Sequence, residues 1–485
     1  MKVLIAAAFC VLAICSSKAI GSPWIGTQDK QLHYDVQTLA EWGYLNSAVT
    51  TYPIPWKGIA EQITMLSGEG MAPMPAQALA RLSHYLAIQK RQEYRQFATL
   101  QGATDDVRFR SLDDGAEETA KLTLTSEFYH QRWSGQLAVN YASGGRSNFD
   151  NSFLAYQFGD WNLRVGSLDQ FWGPGQSSSL ILSNNTRPLK SLAFSRSVTT
   201  ESNSPMLAWI GPWYFTTQLG QMEEDRAVPD TNLFISRFTM RPFKGFEFGL
   251  SWSAMWGGEG QDGNIGDFWD VLTLQSECVG RPSCTDEQRN QLGNHLAGFD
   301  FTYTFNLLSR PMTIYAQRIG EDSQNTYTIT DNAKLIGFST YIDSTKVFIE
   351  TSDTGIACGS DNSTVNNCFY EDALYTSGYR MYNRSMGSTF DSDAKQITLG
   401  ANIRFDDGAI AEMYIRSAEL NPDGQLPPPV LTGAASEDVL ELSGFYQRPY
   451  GNWLLKAGGS IANREFDVRD DEVDALLYLK AQYAF

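Results

Sequence analysis

From Phe246 the chain alternates strictly, Phe246, Phe248, Leu250 and Trp252 being separated by Glu247, Gly249, Ser251 and Ser253. The same period of two recurs from Ile397 (Ile397, Leu399, Ala401, Ile403, Phe405 against Thr398, Gly400, Asn402, Arg404) and near Trp213 (Trp213, Phe215, Thr217, Leu219 against Tyr214, Thr216, Gln218, Gly220). Successive side chains of a strand point to opposite faces, so each segment has one apolar face and one polar face. That pairing suits a wall between lipid and a polar lumen. Tight turns are expected at Gly159-Asp160, Gly211-Pro212, Lys244-Gly245, Asp343 to Thr345, Asp406 to Gly408 and Pro449 to Asn452. Longer polar segments fall between them, near 169–205, 255–296, 354–393 and 418–436. Short turns at one end and long loops at the other predict an all-β membrane barrel of about eighteen antiparallel transmembrane strands, the sixth placed at 206–210. The final segment, Leu477, Leu479, Ala481, Tyr483 and Phe485 alternating with polar or small partners, resembles the terminal signal read by the outer-membrane barrel assembly machinery.

The first 93 residues follow another pattern. Lys2, the apolar run from Val3 to Ile14 and the small residues near Ala19 and Gly21 read as a secretory signal over residues 1–21. Residues 22–93 read as a small periplasmic helical segment. Its clearest helix runs from Ala76 to about Tyr94, with Leu79, Leu82, Tyr85 and Leu86 on one side. That stripe needs a partner, and the mouth of the barrel over residues 94–485 is the nearest one.

Composition agrees with a barrel. The chain has 22 Tyr, 27 Phe, 12 Trp and 41 Gly at a mean hydropathy of -0.30. Alternation explains how so aromatic a chain contains no long apolar window. A net charge of -18 argues against nucleic acid as a partner. Four cysteines lie beyond the signal, and the spacings Cys278–Cys284 and Cys358–Cys368 suggest two local disulfides in polar loops. Zinc is the alternative, although the gaps do not fit paired-ligand spacing and no His lies in those segments.

Candidate chemistry is sparse. Four histidines are scattered, no nucleophile elbow or phosphate loop stands out, and no metal or cofactor is expected. Arg164, Arg237, Arg241, Arg318, Arg404 and Arg416, with Glu247, Glu350 and Glu412, fall on polar-phase strand positions. They read either as braces of the lumen or as a path for an anionic or hydroxyl-rich ligand. Loop aromatics flanked by polar groups, Trp172, Trp256 with Glu259, and Trp269 with Asp270, could stack on sugar rings. They could equally pack the loops into a plug.

Several motifs occur in one order: Phe171 to Gly175 (FWGPG), Arg187-Pro188, Trp256 to Gly260 (WGGEG), Phe268 to Asp270 (FWD), Leu296 to Phe301 (LAGFDF) and Gly320 to Asp322 (GED). In these the mature chain resembles the Wzi-type capsule assembly proteins. The resemblance implies an eighteen-stranded outer-membrane barrel that retains capsular or related polysaccharide, its lumen blocked by helices below and folded loops above. A lectin-like role without catalysis is then expected, with Trp172, Arg187, Arg196, Trp256, Glu259, Trp269 and Asp270 as glycan contacts. The expected partners are surface polysaccharide, outer-membrane lipid and the assembly machinery. A porin-like channel and an outer-membrane enzyme are the rival readings.

Overall fold

The computed structural model describes residues 23–25, 31–91, 93–110, 112, 118–202, 204–261, 263–272, 294–325, 328–356, 368–372, 374–424 and 436–485. The signal region lies outside them, as do Cys278, Cys284 and Cys358. Cys368 is disulfide-bonded.

Antiparallel strands close on themselves, Tyr94–Ala103 pairing with Ala120–His130 on one side and with Glu472–Ala484 on the other. Ser147–Asn148 and Phe153–Phe158 both pair with Trp133–Ala142 and form one interrupted stave, which brings the barrel to eighteen. Closure gives every strand two neighbours, so no row of backbone N–H and C=O groups is left facing lipid. No helix among the described residues is long and apolar enough to cross a membrane.

The outward phase of the strands carries exposed Leu163, Leu192, Leu250, Ile336, Leu399 and Ile461. A ring of aromatic contacts borders this belt at the end bearing the short turns: Trp161 on Phe194 at 4.6 Å, Phe243 on Phe246 at 4.8 Å and Trp453 on Tyr483 at 4.8 Å. Aromatic rings of this kind favour the membrane–water boundary. The wall is uneven. Arg310–Asn325 and Thr328–Ile342 have 16 and 15 residues, whereas Phe153–Phe158 and Trp161–Gly166 have 6 each.

Three expectations are corrected. Residues 206–210 are not a strand but belong to a 3-10 turn, Pro205–Ile210, in a connection at the short-turn end. The missing stave is Lys190–Arg196, which pairs with Trp161–Gly166 and Trp213–Gln221 inside what reads as loop. The two errors cancel in the strand count. Arg318 points outward, because its neighbours Gln317 and Ile319 face the interior, whereas the other eight charged residues expected inside are buried there.

Ahead of the barrel lie α1 (Gln31–Glu41), α2 (Lys57–Ile63) and α3 (Pro73–Arg91). Leu32, Val36 and Leu39 of α1 meet Ile59 and Ile63 of α2 and Leu79, Leu82 and Leu86 of α3 in one core. The apolar stripe therefore finds its partners chiefly within the helices. Ion pairs fasten this bundle to the wall, Asp35 bonding Arg404 (3.0 Å) and Glu41 bonding Lys346 (3.0 Å), while Asp35 also bonds Arg81 of α3 (2.7 Å) within the bundle.

Candidate functional site

Much of the barrel interior is filled by the chain itself. The segment after α1 threads into the lumen, where Thr51–Tyr52 pairs with Phe171–Trp172 from the first long loop. One strand from the helical segment and one from the loop thus form a small sheet inside the barrel. Wall carboxylates hold each half by its backbone. Glu247 accepts the Val49 N–H (3.0 Å), the Thr50 N–H (2.8 Å) and the Thr50 hydroxyl (2.6 Å). Glu350 accepts the N–H groups of Gln176 (2.6 Å), Ser177 (3.2 Å) and Ser178 (3.0 Å). Charge-assisted bonds of this type are stronger than neutral ones and offset the cost of burying a carboxylate. The FWGPG motif permits the close backbone fold that aims these N–H groups at Glu350, since a Cβ on Gly175 would lie 1.9 Å from the Ser178 carbonyl oxygen.

Above the small sheet the plug turns apolar. Trp172, Leu180, Ile181 and Leu182 of the first loop and Tyr370, Tyr375 and Tyr379 of a later one pack on Leu233, Ile235, Leu296, Ile319 and Leu335 of the wall. The inward face of these strands is therefore apolar near the loop end, where a polar lumen is expected from alternation alone.

This packing decides the fate of the candidate aromatics. Trp172 is 1% exposed in the plug core and presents no face to a ligand. Trp256 is buried too, but on the outer wall. It packs with Phe234, Trp252 and Phe268, and Phe268 belongs to α4 (Ile265–Leu272), so this helix lies against the outside of the barrel. Trp269 on α4 is 59% exposed, and Glu259 is exposed at the loop end. The side chain of Asp270 lies outside the described residues. Arg196 sits at the short-turn end, opposite Trp161, bonding the carbonyls of Thr200 (2.7 Å) and Trp213 (2.6 Å) and lying over the Trp213 ring. It therefore lies at the opposite end of the barrel from the loop candidates.

Arg187 is placed differently. Its guanidinium grips Asp150 with two bonds, of 2.5 and 3.0 Å, and lies 4.2 Å from the centre of the Tyr382 ring. Tyr382 and Asn383, at φ +52° and +60°, form the tip of a hairpin between Arg380–Met381 and Arg384–Ser385. Positive φ at both central residues gives the tight two-residue turn, and Asn tolerates it better than most. The Tyr382 N–H donates to Glu223 (3.0 Å), and Asn185 bonds Ser385 and Arg384. Beneath the tip, buried Arg380 is clamped by Asp391 and Glu371. Three loops thereby fix a cation, a carboxylate and a ring at the loop-end surface, with Tyr382 39% and neighbouring Phe149 61% exposed. Partial burial raises the Tyr382 phenol above its usual range despite the Arg187 charge, so it stays a neutral donor. A flat ring beside a guanidinium and an amide suits a hydroxyl-rich ring bearing acidic groups. Of this cluster Arg187 alone is a candidate from the sequence, and the fold brings Tyr382, Asp150 and Phe149 to it. Only the clustered Tyr-Asn-Arg of residues 382–384 hints at them.

A model of the capsule assembly protein Wzi family matches residues 89–477. The chain belongs to that family. It is 27% identical over 339 residues, 67% of its length, to a Klebsiella pneumoniae protein described as an uncharacterized 55.8 kDa protein in the cps region, and it spans 64% of that relative's length. Among solved structures it resembles Wzi of Escherichia coli, described as an outer-membrane, carbohydrate-binding β-barrel involved in group 1 capsule assembly. That likeness has a TM-score of 0.79 at 21% identity and covers 94% of this chain and 98% of the other, and it shows the fold. A Wzi-family barrel with this apolar belt resides in the outer membrane.

Proposed function

We propose that this Wzi-family barrel binds and retains capsular or related exported polysaccharide at the cell surface, without catalysis. The observation that carries this reading is the Arg187–Asp150–Tyr382 cluster at the loop-end surface, where exposed Tyr382 and partly exposed Arg187 are held over buried Asp150 by three loops, above a lumen occupied by its own chain. Tyr382 stacks on a sugar ring while Arg187 and Asn383 meet acidic groups and hydroxyls. Glu259 and Trp269, both exposed, supply further contacts, and Asp270, next to Trp269 in sequence, is proposed with them. Each contact is weak, and many polymer repeats meeting many barrel copies strengthen the whole.

The same reading places residues 1–21 as a removed signal and the helices of 22–93 in the periplasm. It places the loop ends outside the cell, stapled by Cys278–Cys284 and Cys358–Cys368. Insertion relies on the barrel assembly machinery reading the terminal strand. The filled interior speaks against a porin-like channel.

The test is deletion of the gene in its source bacterium, with cell-bound and released polysaccharide measured separately. Polymer still made but shed into the medium supports retention. Bound and released amounts that both stay unchanged defeat it.

A further inference from the structure

The tall wall of the barrel carries two outward cations that the lumen does not explain. Arg318 on Arg310–Asn325 and Lys334 on Thr328–Ile342 are directly paired across the two strands. Both are exposed. In an antiparallel pair, side chains directly opposite begin about 5 Å apart, and like charges there destabilise the sheet. Neither residue makes an ion pair with any carboxylate among the described residues. Asp353, opposite Lys334 on the next strand, turns its carboxylate to the Gly355 N–H (3.0 Å).

Their height in the wall gives the pair a meaning. On the outward phase of the first strand, Met312, Ile314 and Ala316 precede Arg318, while on the second Ile336, Phe338 and Thr340 lie below Lys334. Ile314 and Ile336 are exposed, as is Phe299, the direct neighbour of Arg318 on its other side. The two cations thus cap an apolar strip at its loop-end edge. A charge facing lipid costs about 2–4 kcal/mol at the midplane and far less near the boundary, so this height is the tolerable one.

We propose that Arg318 and Lys334 bind the phosphate of an acylated, phosphorylated lipid of the outer leaflet, whose chains lie along Ile314, Ile336 and Phe299. One phosphate between the two cations removes their repulsion. Arg318 presents a planar fork that matches two phosphate oxygens, and Lys334 adds a point charge. The site depends on the membrane placement of the barrel and not on the glycan reading.

The test is native mass spectrometry of the purified full chain in detergent, titrated with lipid A carrying both phosphates or with the same acylated lipid after dephosphorylation. The parent is expected to bind the phosphorylated form roughly thirtyfold more tightly, and the double variant Arg318→Gln/Lys334→Gln to lose that preference. Lys190→Gln, on the outward face of the short wall, is expected to retain it. Equal binding of the two lipids by the parent, or an unchanged preference in the double variant, overturns the proposal. Inorganic phosphate that displaces the lipid at equal concentration would show an ion site without a lipid component, and overturns it too. A heat-unfolding midpoint matching the parent establishes that the double variant is folded.

Discussion

Arg237 and Arg187 are both arginines held by two bonds to an aspartate, yet they serve different ends. Arg237 sits in the lumen wall with its partner Asp300, the side chains 0% and 1% exposed, and also bonds Thr50, Thr51 and Ser251. The pair is wholly engaged in joining wall to plug. Arg187 keeps 29% of its side chain exposed, and one flank of its guanidinium rests on an exposed ring. The inner pair has no capacity left for a ligand, whereas the outer one is pre-positioned with part of its arginine open to solvent. Burial, not residue type, separates brace from site.

The largest effect should come from breaking the inner pair. Asp300→Ala leaves buried Arg237 charged with no carboxylate to balance it, a loss of about 3–5 kcal/mol. A lowered unfolding midpoint in detergent would register it, while Asp150→Ala, which leaves a partly exposed Arg187, should cost less, about 1–2 kcal/mol in the same assay. Equal losses at the two positions would erase the distinction between brace and site.

Loosening the plug without breaking the wall is a milder intervention. Glu350→Ala strands the N–H groups of Gln176, Ser177 and Ser178, at about 1–3 kcal/mol. Planar-bilayer recording should then show current steps in the variant and a quiet parent. A parent that conducts steadily would return the channel to contention.

At the outer cluster, Tyr382→Ala should weaken polysaccharide binding roughly tenfold, the scale of a single aromatic anchor, with no change in thermal midpoint. Trp172→Ala should do the reverse, because it removes a plug core residue and leaves a cavity costing about 3–5 kcal/mol.

The smallest effect concerns pH. Burial, with Asp423 and Asp353 nearby, lifts the Asp393 carboxyl from 3.8 to about 6 at the loop-end rim, with Lys395 opposing. An acid whose folded pKa is raised is penalised when ionised, so its stability contribution is full below 3.8 and is lost as pH rises through about 6. Lowering the pH from 7 to 5 should therefore raise the unfolding midpoint slightly, by about 2 °C, and Asp393→Asn should flatten that response.

The barrel was readable wherever alternation ran long, as at Asn232–Phe243, because a period of two with one apolar phase allows few other structures. Lys190–Arg196 escaped notice because its inward residues, Ser191, Ala193 and Ser195, are small and Pro188 precedes it. The candidate site was less legible for a different reason. A tryptophan flanked by glycine reads the same whether it caps a loop or fills a plug, so Trp172 and Trp256 looked like Trp269. Arg187 meets Asp150 and Tyr382 only after three separate loops fold together, and no local pattern records such a meeting. Arg318 was assigned inward because charge in a barrel strand suggests the lumen, a rule that lapses at the edge of the apolar belt.

The most direct test is cosedimentation of the source bacterium's purified surface polysaccharide with proteoliposomes bearing either the parent or a Tyr382→Ala/Arg187→Gln variant of equal thermal stability. Parent vesicles that carry the polymer down, and variant vesicles that leave most of it in solution, are the predicted result. Parent and variant that retain the polymer equally, or a parent that retains none, would contradict a glycan site at this cluster.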